Sequence, residues 1–264
     1  MKLLLLAATG LRQNLCQALF NIISPPDKEI DMDIQEEVKY HGYPILTYTV
    51  VTSDGYRLEM HRLPGSRYET PLEAMKKAKE RQSVLVLHGI DSSSYHMVMA
   101  GPGREGEDGL VHGKAIPYQL VDTGNFDVWL FNARGNKYSR HHLWLHPDSE
   151  PDFWDFSFEE MAQKDVPACL DFIQNQRNDK RKITMIGFSQ GTTVSTFGLA
   201  TFPNYFDKKV NLFVAITPAI QFKFSKEPDI LAATNLIWLG EQAMKLDYVE
   251  FDGPNRGNKD DLTT

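Results

Sequence analysis

Ile183-Thr184-Met185-Ile186-Gly187-Phe188-Ser189-Gln190-Gly191 runs from a short apolar block into a serine with glycine two places to either side. A segment of helical character, Gln190 to Thr201, follows directly. A serine at a tight strand-to-helix turn has its hydroxyl pushed clear of the sheet, and small residues at the flanking positions let strand and helix close around it. The backbone of such a turn is strained, and the start of the helix behind it favours developing negative charge. The pattern predicts Ser189 as a nucleophile on an elbow bounded by Gly187 and Gly191. G-x-S-x-G alone is a weak signal; between a buried strand and a helix it is a specific one.

Three other runs share the texture of Ile183 to Ile186: Ser83 to Leu87, Asp127 to Phe131 and Asn211 to Ile216. Short, nearly unbroken apolar runs are what strands buried on both faces require. Segments of helical character lie between them, at Lys114 to Val121, Phe158 to Gln174 and Gln190 to Thr201. The alternation predicts an α/β fold with a doubly wound, mostly parallel sheet. Ahead of it, Ile45 to Val51 and Tyr56 to Arg62 flank Ser53-Asp54-Gly55 and read as a hairpin. Residues 66–82 are charged and read as a solvated loop or a short surface helix. The glycine-rich Gly101 to Gly106 carries no Lys-Ser/Thr and reads as a flexible insertion near a pocket mouth rather than a phosphate loop.

An acyl-transfer site needs two backbone N–H donors for the oxyanion. One belongs to the residue after the nucleophile, Gln190, and the other to a loop after an earlier strand. His88-Gly89-Ile90-Asp91-Ser92 follows the run ending at Leu87, which makes Ile90 the second donor; the alternative is that His88-Gly89 simply ends a strand.

The 264 residues carry 28 Lys and Arg against 35 Asp and Glu, a net charge of −7, with no basic run, so nucleic acid is not an expected partner. Cys16 and Cys169 are the two cysteines and have no zinc-type spacing, so neither a disulfide framework nor a metal site is expected. Met1-Lys2, the apolar Leu3 to Leu11 and the small-residue pattern at Cys16-x-Ala18 have the order of a secretory leader. Leu11, Leu15 and Leu19 at helical spacing allow an amphipathic helix instead. The leader reading places the protein outside the cell or in a lysosomal or endomembrane lumen; the helix reading leaves it inside the cell.

Further stretches carry a family resemblance. They are His41-Gly42-Tyr43-Pro44, Val51-Thr52-Ser53-Asp54-Gly55-Tyr56, Leu87-His88-Gly89, Asp127 through Asn136 (DVWLFNARGN), Phe153-Trp154-Asp155-Phe156-Ser157, and Gly187 to Gly191 with Thr192-Thr193. In this order, over roughly residues 38–220, the chain resembles the acid lipase family, the gastric and lysosomal acid lipases within the α/β-hydrolases. The resemblance implies hydrolysis of lipid esters, triacylglycerols or sterol esters, through an acyl-enzyme on Ser189, with no cofactor and with a lipid ester or lipid interface as partner. It divides the chain into a leader or N-terminal segment (1–33), a hydrolase core (34–221) and a partial cap or lid (222–264), of which Ile230 to Leu239 is the apolar part. Arg134 in the Asn132-Ala133-Arg134-Gly135 signature reads as structural, tying down a loop.

The resemblance also implies an aspartate and a histidine after the nucleophile. All eight histidines (41, 61, 88, 96, 112, 141, 142 and 146) precede Ser189, and no aspartate after it ends a recognisable strand. The reading is a chain truncated in the cap region, without acid and base in the expected positions. A serine lacking its base loses orders of magnitude in rate. The alternative is therefore an inactive, lipase-like protein that binds lipid or a protein partner completing the sheet. A thioesterase or peptidase on the same elbow is a third reading. His141, His142 and His146 read as solvated surface residues, and Asp152, Asp155, Glu159 and Glu160 as capping groups.

Overall fold

The computed structural model describes residues 32–105 and 111–221. The leader, the partial cap and the apolar Ile230 to Leu239 therefore lie outside the described residues. Asp33 opens α1 (Ile34–Tyr40) with a capping box: its side chain accepts from the Gln35 and Glu36 amides, and Glu36 accepts from the Asp33 amide. β1 (Leu46–Val51) and β2 (Arg57–Leu63) form the expected antiparallel hairpin about Gly55, whose φ is +98°. The charged stretch after it contains a surface helix, α2 (Pro71–Ala78), capped by Thr70 with Glu73. β3 (Gln82–Leu87) follows.

Beyond β3 come a short 3₁₀ turn (Ser94–Met97) and two strands, β4 (Pro102–Glu105) and β5 (Val111–Lys114). These two pair antiparallel, so Pro102 to Glu105, within the stretch Gly101 to Gly106, is one strand of a small separate sheet rather than a flexible insertion. Gly101 and Gly103 have φ of +68° and +87°, the left-handed region that favours glycine. α3 (Ile116–Asp122) and β6 (Phe126–Leu130) come next. A long loop then leads to a helical turn at Phe158–Glu160, which continues through a π turn (Met161–Asp165) into α4 (Val166–Arg177). β7 (Ile183–Phe188), α5 (Gln190–Thr201), α6 (Pro203–Lys209) and β8 (Val210–Ile216) complete the described chain.

The main sheet has the order β1-β2-β6-β3-β7-β8, with β6, β3, β7 and β8 parallel and the hairpin joined antiparallel through β2 and β6. Alternating side chains of each strand feed two separate cores. Leu85, Leu87, Trp129 and Met185 pack with Val166, Leu170 and Ile173 of α4 on one face. Val84, Val86, Val128 and Leu130 pack with Ile34 of α1 and Tyr118 and Val121 of α3 on the other. This two-sided burial is why those strands read as unbroken apolar runs.

β8 departs from that expectation. Leu212 and Val214 are 54% and 37% exposed. β8 pairs only through β7 among the described residues. An apolar run thus marks a sheet strand without saying how much of it the described chain buries.

One ion pair ties the hairpin to the parallel strands. Arg62 reaches from β2 to the fully buried Asp127 of β6 at 2.7 and 3.2 Å, and its guanidinium lies 4.4 Å from the Trp129 ring centre. Asp127 also accepts from the Trp129 indole and the Ser83 hydroxyl. Replacing Arg62 by Met leaves a buried carboxylate without its cation. Urea unfolding should show a loss of about 3–5 kcal/mol, much of it recovered in the double replacement Arg62→Met, Asp127→Leu; an unchanged midpoint for the single variant would contradict this assignment.

Candidate functional site

Ser189 has φ 50° and ψ −116°, a conformation L-residues rarely adopt, at the junction of β7 and α5. Such backbone costs about 1–3 kcal/mol and persists only where its surroundings enforce it. Here the Ser189 N–H donates to the Ile216 carbonyl at the end of β8 (3.1 Å), and its carbonyl accepts from the Thr192 amide at 2.8 Å and the Thr192 hydroxyl. The backbone is held at both ends, while the half-buried side chain has no hydrogen-bond partner among the described residues.

The flanking glycines are required by close approach. A Cβ on Gly187 would lie 2.7 Å from the Gly191 oxygen, and one on Gly191 would lie 2.6 Å from the Leu87 oxygen and 2.8 Å from the His88 oxygen. Helix α5 thus starts hard against both β7 and the end of β3. The loop after β3 is brought to the serine by the same contact: a Cβ on Gly89 would lie 3.2 Å from Ser189 Cβ. The loop residue after Gly89 is Ile90, 70% exposed, and the residue after Ser189 is Gln190, the first of α5.

Two cavities meet along the rim Gly89 to Ser92. One, of about 470 Å³, includes Ser189 and is walled mainly by apolar groups such as Phe188, Ile186, Ile216, Ile116 and Met97. The other, of about 570 Å³, includes Gln190 with Arg134, Trp154, Phe156 and Met161. The serine hydroxyl thus sits where an apolar chain and a carbonyl could be presented together.

Arg134 does tie down its loop. Its guanidinium bonds the carboxylate of Asp165 in the π turn at 2.7 and 2.9 Å and that of Asp54 in the hairpin turn at 2.8 and 3.1 Å, and stacks 4.0 Å from the Tyr56 ring centre. Burial pushes Asp165 up, to about 6, against the opposing pull of the Arg134 charge. Arg134 therefore clamps three segments and is not aimed at an open serine.

The histidines sort by their partners. His141 and His146 are exposed, as predicted. His142 is not a solvated surface residue: it is half-buried against Tyr56 and Trp144, its Nε2 donates to the Asp54 carbonyl, and its Nδ1 accepts from the Trp144 and Leu145 amides. Its fixed turn of chain creates three backbone partners that a polar sequence context conceals. Of the four carboxylates, Glu160 does cap, accepting from the Ser157 amide at 2.7 Å. Sequence reasoning missed His88, which is buried and hydrogen-bonded through both ring nitrogens. Its place at the end of an apolar run was the available signal; the partners of its Nε2, Ala133 and Asn136, lie more than forty residues away.

A family model described as alpha/beta hydrolase fold matches residues 82–258, and one described as partial alpha/beta-hydrolase lipase region matches residues 34–101. The chain belongs to the α/β-hydrolase fold family. This hydrolase-fold chain is 35% identical over 210 residues to gastric triacylglycerol lipase of Rattus norvegicus, covering 80% of the chain and 48% of that protein. It is 35% identical over 208 residues to the Homo sapiens gastric triacylglycerol lipase and 36% identical over 200 residues to Homo sapiens lipase member K, covering 48% and 45% of those proteins. It spans about half the length of these relatives.

Burial holds His88 down, to about 4, partly offset by its bond to the Gly89 carbonyl. An unfolded histidine titrates near 6.5, so between about pH 6.5 and 4 the unfolded chain takes a proton that the folded chain refuses. Stability should therefore fall as pH drops through that window, by on the order of 3 kcal/mol from this residue alone. Denaturant melts of wild type minus His88→Asn should show the difference shrinking across this range; a pH-independent difference would refute the buried neutral imidazole.

Proposed function

We propose that the chain carries the nucleophile and oxyanion-hole part of a lipid carboxylic-ester hydrolase. The observation that carries the reading is Ser189, held in strained backbone, with a hydroxyl that has no partner among the described residues, at an apolar cavity beside the Gly89–Ile90 loop. The relatives, gastric triacylglycerol lipases by name, supply the substrate class. In this reading Ser189 Oγ attacks the ester carbonyl carbon, and the carbonyl oxygen takes up the electron pair as an oxyanion. The N–H groups of Ile90 and Gln190 receive that charge, each donor being worth about 10²–10³ in rate. The C–O bond to the alcohol then breaks and leaves the acyl group on Ser189, with its chain along Phe188 and Ile216. The Ser189 proton needs an acceptor, and His88 and His142 have both ring nitrogens committed to hydrogen bonds. The acceptor is therefore neither of these, and the proton passes on to the departing alkoxide, which leaves as the alcohol. The leader reading of residues 1–33 adds a secreted or lysosomal-lumen location.

The exposed apolar side chains of β8 favour a second reading: a binding protein without turnover whose sheet is completed by a partner. Turnover of esters by the purified chain would exclude it.

Intact-mass analysis after treatment with an alkyl fluorophosphonate should show one adduct on wild type and none on Ser189→Ala. Equal labelling of the alanine variant removes Ser189 as nucleophile. Where turnover is seen, p-nitrophenyl esters should be cleaved in preference to the matching thioesters and anilides; an anilide preference would favour the peptidase reading.

A further inference from the structure

The side chain of His88 turns inward at the end of β3, where its Nε2 faces two N–H groups: the Ala133 amide at 3.1 Å and the Asn136 carboxamide at 3.3 Å. The Asn136 orientation is fixed independently, because its oxygen accepts from the Tyr138 and Ser139 amides, both at 3.0 Å. Two groups that can only donate require a lone pair on Nε2. The ring is therefore the neutral tautomer with its proton on Nδ1, and Nδ1 lies 2.7 Å from the Gly89 carbonyl, which can only accept.

That hydrogen bond fixes more than a carbonyl. The described chain contains no cis peptide bond, so the Gly89 C=O and the Ile90 N–H lie in one plane and point in opposite directions. Pinning the carbonyl inward on His88 turns the Ile90 N–H outward, along the stretch of loop that passes Ser189. Donation into a peptide carbonyl also polarises the peptide and strengthens its N–H as a donor. A second set of bonds steadies the loop: Asn136 donates to Asn132 Oδ1 at 3.0 Å, which accepts from the Ser94 amide at 2.9 Å, while Asn132 donates to the Glu59 carbonyl at 2.9 Å. The imidazole thus spans the loop after β3 and the loop after β6, with one defined proton position.

We propose that His88 is a positioning residue for the oxyanion hole: its Nδ1–H, donated to the Gly89 carbonyl, aims the Ile90 amide at the oxygen that becomes negative. This rests on the reading of Ser189 as nucleophile. It separates His88 from a mere spacer, because the two ring nitrogens have different duties. Asparagine at this position can place an N–H where Nδ1 stands but cannot accept from Ala133. Glutamine can place an oxygen where Nε2 stands but offers nothing to Gly89.

The test uses the full 264-residue chain as wild type, His88→Asn, His88→Gln and Ser189→Ala, inactivated by a p-nitrophenyl alkylphosphonate whose P=O oxygen occupies the oxyanion site. Nitrophenolate release separates reversible binding of the alkyl chain from the phosphonylation rate. The expected result is unchanged binding throughout, a rate within a few-fold of wild type in His88→Asn, and a loss of about 10²–10³-fold in His88→Gln, the cost of a misplaced oxyanion donor. A wild-type rate in His88→Gln, or equal losses in both variants, would overturn the positioning role while leaving the serine reading intact. Labelling that is absent in wild type, or that persists in Ser189→Ala, would overturn the serine reading and this proposal with it. Nitrogen NMR of isotope-labelled histidine in the wild-type chain gives a readout independent of reactivity and of variant folding. A protonated Nδ1 with a bare Nε2 at neutral pH is expected, and the opposite tautomer or an imidazolium overturns the proposal.

Discussion

No side chain fits between the end of β3, the end of β7 and the start of α5. That constraint organises the site. Gly191 comes within a Cβ's reach of the Leu87 and His88 carbonyls, and Gly187 comes equally close to Gly191 itself. With two strands and a helix meeting backbone to backbone, the residue between β7 and α5 has no relaxed conformation open to it. Ser189 takes the strained one, and three backbone or hydroxyl hydrogen bonds hold it there. The same contact delivers the Gly89–Ile90 loop to the serine and forms the rim of both cavities.

Around this junction the buried polar groups are paired across long sequence distances. Arg134 gathers Asp54 and Asp165, Asp127 gathers Arg62, Trp129 and Ser83, and His88 joins the loops after β3 and β6. Each would be costly alone in the interior, and each becomes a positional constraint once paired. Together they anchor the hairpin, the π turn and the two loops to the parallel strands, so the cavity walls and the serine share one rigid frame.

The parallel strands, the hairpin and the elbow were legible in the sequence because each is written locally: Ile183 to Ile186 as an apolar run, Ser53-Asp54-Gly55 as a turn, Gly187 to Gly191 as a spacing. Arg134 was legible as structural through its signature, although not with its partners. What the sequence hid depends on which groups the folded chain brings together. The β4–β5 pair joins strands across a glycine-rich stretch. His142 looked solvated because its three backbone partners appear only once the turn closes over Asp54. The duty of His88 Nε2 depends on Ala133 and Asn136, more than forty residues away. The exposure of β8 follows from what lies beside it in the fold, which an apolar run does not record.

The central claim is that Ser189, the Ile90 amide and the Gln190 amide converge on one reacting group at the apolar cavity. A crystal structure of the chain inactivated by a long-chain alkylphosphonate tests it most directly. The account predicts phosphorus bonded to Ser189 Oγ, its free oxygen within hydrogen-bond distance of both amides, and the alkyl chain lying along Phe188 and Ile216. A free oxygen turned to solvent, with neither amide approaching it, would contradict the account.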